Sequence, residues 1–248
     1  MTTLFPERID NILLTLAFES SAKAASVAVC SADALLGQYF QNNGLTHSRT
    51  LLAMAESLLK NLEITAGDFD VVAVSRGPGS FTGVRIGVAA AKGFAWGIDK
   101  PVCGVSTLKA MACQLCHTGA AEAAEAIRSP GIICAVMDAR RGQVYNALFS
   151  CKGGKPERLC EDRAISLAEL ALELKSRDAP VIIMGDGSEI GCRYLSEAGI
   201  ICRTAPSLLR WQTAYGVALA ALGEKPVPPA ELEPAYLRPS QAERLLDS

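Results

Sequence analysis

Histidine is nearly absent from this chain: among 248 residues only His47 and His117 carry an imidazole. No pair of histidines sits three or four apart to grip a metal from one helix, so the usual zinc-hydrolase arrangement is not available. A Gly-x-Ser-x-Gly elbow is missing too, although counting residues does not by itself exclude a Ser-His-Asp site. Surplus positive charge is lacking: Lys+Arg number 24 against 26 Asp+Glu, a formal net charge of -2. An RNA substrate would therefore not be held by this chain alone. Long apolar runs are missing as well. The most apolar helical stretch, Val84 to Ile98, is broken by Arg85 and Lys92 and is too short to span a bilayer. The opening MTTLFPERIDNILLTLAFESS places acidic residues before its apolar run and has neither a basic lead nor a small-residue cleavage site, so it does not read as a signal peptide. These absences point to a cytoplasmic protein with no membrane attachment.

What is present is the composition of a compact globule, 50% hydrophobic and 20% charged, long enough for one large domain or two smaller lobes. Nine cysteines, an odd number scattered from Cys30 to Cys202, fit reduced and buried thiols better than a disulfide framework. Cys113-Gln114-Leu115-Cys116-His117 matches the attachment pattern for c-type haem, but it closes an apolar helix and no export signal accompanies it. The cysteines there are expected to pack.

Apolar runs at Ile12 to Phe18 and Ala25 to Cys30, separated by Glu19-Ser20-Ser21-Ala22-Lys23, predict a strand hairpin. A helix over about Thr46 to Leu62 would align Leu51, Ala55, Leu58 and Leu62 on one face, with Leu52 and Leu59 beside them. Asp70 to Ser75 reads as a continuous apolar strand. It runs into Arg76-Gly77-Pro78-Gly79-Ser80-Phe81-Thr82-Gly83 and then a helix reaching about Gly97, a strand, glycine-rich turn, helix unit. A strand at Pro101 to Val105 and a helix from Thr107 to about His117 follow. Beyond the alanine-rich acidic stretch Ala120 to Ala126, the theme repeats. Strands at Ile132 to Met137 and Gln143 to Ser150 flank Asp138-Ala139-Arg140-Arg141-Gly142. A helix at Leu167 to Lys175, a strand at Val181 to Met184 ending in Gly185-Asp186-Gly187, and a helix at Ser188 to Ala198 come next. A last helix over about Leu209 to Leu222 leads to the proline-rich stretch Lys225 to Pro239, expected to lie extended along another surface. The pattern is a duplicated α/β architecture with its boundary near 105 to 130.

The turn from Gly77 to Gly83 allows two roles: backbone N–H groups at a strand-to-helix junction can face an anion, or the glycines can serve a tight turn capped by Ser80 or Thr82. It is not a Walker A loop, because no Gly-Lys-Ser/Thr closes it. The small residues Gly83, Gly87 and Ala91, with Ala90, Gly93 and Gly97 nearby, permit close backbone approach, either to the chain's own core or to another subunit. Glu19-Ser20-Ser21 could hold a phosphate, place a carboxylate near a metal, or form a plain turn. His47, before the helix opening at Ser48, fits a cap or an interface residue, the cap being the favoured reading.

Ser75 to Gly87, followed by Ala91-Lys92-Gly93, resembles the signature of the TsaB family, also called YeaZ. The resemblance extends to Leu16-Ala17-Phe18-Glu19-Ser20-Ser21, His47-Ser48, Asp138-Ala139-Arg140-Arg141 before Val144-Tyr145, Gly185-Asp186-Gly187 and Pro234-Ala235-Tyr236-Leu237-Arg238. It implies an actin-like, Hsp70-like ATPase fold: an N-terminal lobe over 1–106 completed by a helix at about 209–222, a C-terminal lobe over 107–208, and an extended tail over 223–248. It implies a non-catalytic subunit of the machinery that makes threonylcarbamoyladenosine beside the tRNA anticodon. Such a subunit pairs with the catalytic paralogue TsaD and is joined by the ATPase TsaE; ATP is used by the assembly, no cofactor is required here, and tRNA is met indirectly. The family's helix pair suggests Leu51, Leu52, Ala55, Leu58, Leu59, Val84, Val88 and Ala91 as partner-facing, a surface that could also form a homodimer. The signature loop comprises Arg76, Gly77, Pro78, Gly79, Ser80, Phe81, Thr82, Gly83 and Arg85. Glu19, Ser20, Ser21 and Asp138 are candidates for a vestigial nucleotide site, with Glu19 and Ser20 standing where the family usually has Asp and Thr. The competing reading is an actin-like enzyme, a kinase or carbamoyl transferase, binding ATP in its own cleft through Glu19 or Asp138. A protease reading is disfavoured by the missing metal-binding histidines and serine elbow.

Overall fold

The computed structural model describes residues 13–118, 131–140 and 142–238; the stretch Ala120 to Ala126, Arg141 and Pro239 lie outside the described residues. Two sheets are built to one plan. The first contains β1 (Leu14–Glu19), β2 (Ala25–Ser31), β3 (Ala34–Gln41), β4 (Val71–Gly77) and β5 (Val102–Ser106) in the order β3-β2-β1-β4-β5. β1, β2 and β3 pair antiparallel, while β4 and β5 add in parallel on the other side. The second contains β6 (Ile132–Asp138), β7 (Gln143–Lys152), β8 (Lys155–Arg158), β9 (Arg163–Ser166), β10 (Val181–Met184) and β11 (Cys202–Thr204). Its order, β11-β10-β6-β7-β8 with β9 also on β7, is the same scheme: an antiparallel meander on one flank of the first strand, two parallel strands on the other. The expected duplication is therefore present in the strand topology.

The central strands β1, β4 and β6 are apolar on both faces because helices cover both. On the outer face of the first sheet lie α1 (His47–Leu62) and α2 (Phe81–Gly97). Leu51, Met54, Ala55 and Leu58 of α1, and Val84, Val88, Ala91 and Ala95 of α2, pack there with Leu16, Phe18 and Val74. On the outer face of the second sheet lie α4 (Leu167–Arg177), started by a reciprocal Ser166–Glu169 capping box, and α5 (Ser188–Glu197). Between the sheets lie α3 (Thr107–Thr118) and α6 (Ala214–Ala221). The helix that follows β5 packs on the second sheet, with Leu108, Met111 and Leu115 against Ile133, Ala135 and Phe149. The helix that follows the second sheet's last strand returns to the first, with Ala214, Val217 and Ala218 against Ala17, Ala28 and Ala73. Each sheet is thus covered by the helix the other leads into.

Several elements differ from the sequence reading. β3, β8, β9 and β11 were not expected; they are short or half-exposed edge strands without the apolar runs that announce a buried strand. The last helix starts at Ala214 rather than near Leu209, because Thr213 caps it through a bond from the Gly216 N–H. Cys113 and Cys116 pack inside α3, and Gln114 between them accepts a 2.5 Å bond from the Thr213 hydroxyl. All nine cysteines are free thiols, and burial pushes Cys30 up to about 12. No helix among the described residues is long and apolar enough to cross a membrane.

Candidate functional site

A cleft of about 680 Å³ opens where the sheets meet. Its walls are the turn after β1, the glycine-rich loop before α2, the turns after β6 and β10, and the tail. The duplicated topology places Glu19 and Asp138 at equivalent strand ends, but their environments differ. Asp138 is exposed at the cleft wall and accepts the Arg140 N–H at 2.7 Å. Glu19 has no accessible surface, and its Oε1 accepts the Ser21 N–H at 2.6 Å. Burial pushes the Glu19 carboxyl above its ordinary range against the pull of Ser21 and Ser75, with the Asp186 charge adding to the rise. Asp186, on the second lobe's wall, is likewise raised by burial although Gln212 donates to it at 3.0 Å.

Helix α2 is what seals the first-lobe turn. Ser20 donates its hydroxyl to the Gly83 carbonyl at 2.9 Å, and the Ser80 N–H donates to the Ser21 carbonyl at 2.7 Å. A Cβ on Gly83 or Gly87 would collide with the Ser20 carbonyl and hydroxyl respectively, and one on Gly79 with the Ser21 carbonyl. The first two small-residue positions therefore serve intrachain packing. Of the nucleotide-site candidates, Ser21 and Asp138 line the cleft, Ser20 is bonded beneath α2, and Glu19 is buried beside Ser21 and Ser75 on the face of the sheet that looks toward Asp186. His47, the first residue of α1, ties that helix to the same turn through Nε2 and the Ala22 carbonyl, 2.8 Å apart.

The signature loop is also accounted for within the chain. Ser80, not Thr82, caps α2 by accepting the Gly83 N–H at 3.3 Å. Gly77 has φ +123, a region L-residues rarely adopt, and the Ala235 carbonyl lies where its Cβ would stand. The Ala235 N–H donates to the Arg76 carbonyl at 2.7 Å. Arg85 lies 3.9 Å over the Phe81 ring and donates Nε to the Tyr236 hydroxyl at 2.9 Å, while the Phe81 and Tyr236 rings stack at 4.8 Å. Two sequence motifs some 150 residues apart are one contact, which no local pattern announces.

The expected partner-facing set needs correction. Leu51, Ala55, Leu58, Val84, Val88 and Ala91 are buried in the lobe's own core, because a leucine stripe on an amphipathic helix covers its own sheet first. Only Leu52, 53% exposed, and the half-buried Leu59 reach the surface. The outward faces of the pair carry Leu52 and Ala53 of α1 with Ala89, Gly93 and Trp96 of α2. Nothing lies within 4 Å of where a Gly93 Cβ would be. Of these, sequence reasoning names Leu52 and, among the small residues, Gly93; it misses Ala53, Ala89 and Trp96.

Two lobes of identical strand order that exchange covering helices and enclose a cleft define the actin-like class of two-lobed α/β proteins. Residues 42–186 match the family described as TsaD: tRNA N6-adenosine threonylcarbamoyltransferase. The tRNA threonylcarbamoyladenosine biosynthesis protein TsaB of Escherichia coli (strain K12) is 31% identical over 226 residues, 90% of this chain and 94% of that protein. The TsaB of Bacillus subtilis (strain 168) is 33% identical over 175 residues, 71% of this chain and 72% of that one. YeaZ from Pseudomonas aeruginosa superposes with a TM-score of 0.72 at 26% identity, covering 91% of this chain and 100% of that structure. The chain belongs to the TsaB family.

Proposed function

We propose that this protein is a cytoplasmic, non-catalytic docking subunit in the formation of threonylcarbamoyladenosine on tRNA. It pairs with a TsaD-type catalytic subunit, works with a TsaE-type ATPase, and meets tRNA only through the assembly. No cofactor of its own is required; ATP is consumed by its partners. The names of the TsaB relatives support the pathway. The observation that carries the docking role is Gly93. An interior helix glycine costs about 1 kcal/mol relative to alanine. Gly83 and Gly87 recover that cost through contacts with Ser20, but Gly93 faces open space on the exposed side of α2 that also carries Ala89 and Trp96. A bare backbone patch flanked by small and apolar side chains suits the close approach of a partner helix. The cleft favours the same division of labour over an independent ATP-using enzyme, since Ser20 is bonded beneath α2 and Glu19 has no accessible surface.

The test is threonylcarbamoyl transfer to tRNA by purified TsaD-type and TsaE-type partners, with no addition, with this protein, and with its Gly93→Glu variant. Activity that requires the wild-type chain and is lost with a variant of unchanged thermal stability supports docking through this face. Activity indifferent to the chain sinks the reading. Gel filtration of the protein alone reports whether the same face closes a homodimer when no partner is present.

A further inference from the structure

We infer that residues 226–238 are a strap that sets the opening of the cleft. The strap is attached to the first lobe along most of its length. Val227 exchanges backbone bonds of 2.9 and 2.8 Å with Val102, adding a bridge at the free edge of β5. Leu232 is 3% exposed, sunk among the first lobe's core residues. Lys92 donates to the Ala230 and Leu232 carbonyls at 3.2 and 3.0 Å. The Ala235 N–H bonds the loop before α2, and Tyr236 stacks on Phe81 with Arg85 beside both. From there the strap crosses the cleft mouth. Arg238 donates Nη1 to the Ala139 carbonyl of the second lobe at 2.9 Å.

The lobes are already joined at the back of the cleft by the chain entering α3 and the chain entering α6. Two such crossings define an axis; rotation about it is resisted by α3 packed on α6, by the 2.5 Å bond from the Ser106 hydroxyl to Asp162 and by Ala22 set in the second lobe's core, and a contact at the mouth adds to that resistance. The Arg238 to Ala139 bond lies at the mouth, where leverage on that rotation is greatest. It is also a single charged bond at a part-buried position, worth about tenfold in an equilibrium, against the many attachments holding the strap to the first lobe. Failure at the Arg238 end therefore opens the cleft while the strap stays seated. Phe81 and Arg85, which grip Tyr236, belong to the helix that carries Gly93, so a partner docked on α2 would act on the strap. That link rests on the docking reading above; control of the opening does not.

The experiment measures pulsed spin–spin distances in the full chain, with labels introduced by non-cysteine chemistry at Lys60 on α1 and Lys175 on α4, both exposed. It compares wild type, Arg238→Lys, Arg238→Ala and Tyr236→Ala. The wild type is expected to give one narrow distribution, Arg238→Lys to retain it, and Arg238→Ala to broaden and shift it to longer distance. Tyr236→Ala, which removes one first-lobe attachment and leaves Arg238 on Ala139, is expected to broaden it less than Arg238→Ala does. Arg238→Ala decides the matter, since its side chain lies at the protein's edge and circular dichroism reports whether the fold is kept. A distribution in the folded Arg238→Ala protein that superimposes on wild type overturns the strap, whatever Tyr236→Ala does. The partners of the docking assay take no part in this measurement, so the two readings fail separately.

Discussion

The turn after β1 and the turn after β6 occupy the same place in two lobes of the same strand order, yet one is sealed and the other open. In the first lobe, α2 begins immediately after the glycine-rich loop and presses Gly79, Gly83 and Gly87 onto Ser20 and Ser21. In the second, Gly185 and Gly187 also press on β6, at the Val136 carbonyl and at Met137 and Asp138, yet the Asp138 carboxylate stays at the surface and accepts the Arg140 N–H of its own turn. A duplicated topology fixes where a carboxylate can stand but not whether it meets solvent. What decides it for Glu19 is its immediate surround, Ser21 and Ser75 with Asp186 nearby, and not the strand order.

The most severe way to break this comparison is to charge the sealed side. Val88→Glu places an unpaired carboxylate in the core between α2 and the first sheet, and should cost roughly 4 kcal/mol or more, abolishing the cooperative thermal transition. Gly83→Ala comes next. Its methyl meets the Ser20 backbone carbonyl rather than a movable side-chain tip, so a loss of about 2 kcal/mol is expected in denaturant unfolding. Gly93→Ala on the same helix, with open space around it, should instead stabilise by up to about 1 kcal/mol. Opposite signs from one substitution on one helix separate packing glycines from docking ones. Equal signs would remove the argument for Gly93.

Glu19 sharpens the comparison through pH. Its folded-state pKa lies above the ordinary value of 4.5, so between those two values the folded protein holds a proton that the unfolded chain has released. Stability from this group is present at low pH and lost as pH rises from 4.5 through the folded pKa. Glu19→Gln should flatten that fall in a melting-temperature series; an unchanged slope would assign it to Asp186, which is raised in the same sense. The smallest effect belongs to Asp138→Ala on the open side, expected within about 0.5 kcal/mol of wild type.

The sequence reading located what depends on local pattern. β1, β2, β4, β6 and β10 are continuous apolar runs, and the α1 stripe and the loop before α2 follow from spacing and glycine. Residues such as Lys155 to Arg158 or Cys202 to Thr204 gave no strand signal, because edge pairing asks little of side chains. The stripe Leu51, Ala55, Leu58 reads identically whether it covers its own sheet or another chain, so burial had to come from coordinates. The spacing of Gly83 and Gly87 announced a close neighbour without naming Ser20. The pairing of Arg76 and Arg85 with Ala235 and Tyr236 is a long-range contact that neither segment encodes alone.

The exchange of covering helices also bears on the order in which the chain can fold. Ala17, Ala28, Val71 and Ala73 on the inner face of the first sheet need α6, and its outer core needs Leu232. During synthesis the lobe whose strands emerge first must wait for the last helix and the strap, whereas the strands and helices of the second sheet, with α3 already made, form within a shorter stretch of chain. The earlier lobe is therefore the later one to be completed, and its unfilled alanine-rich face is the surface most in need of protection on the ribosome.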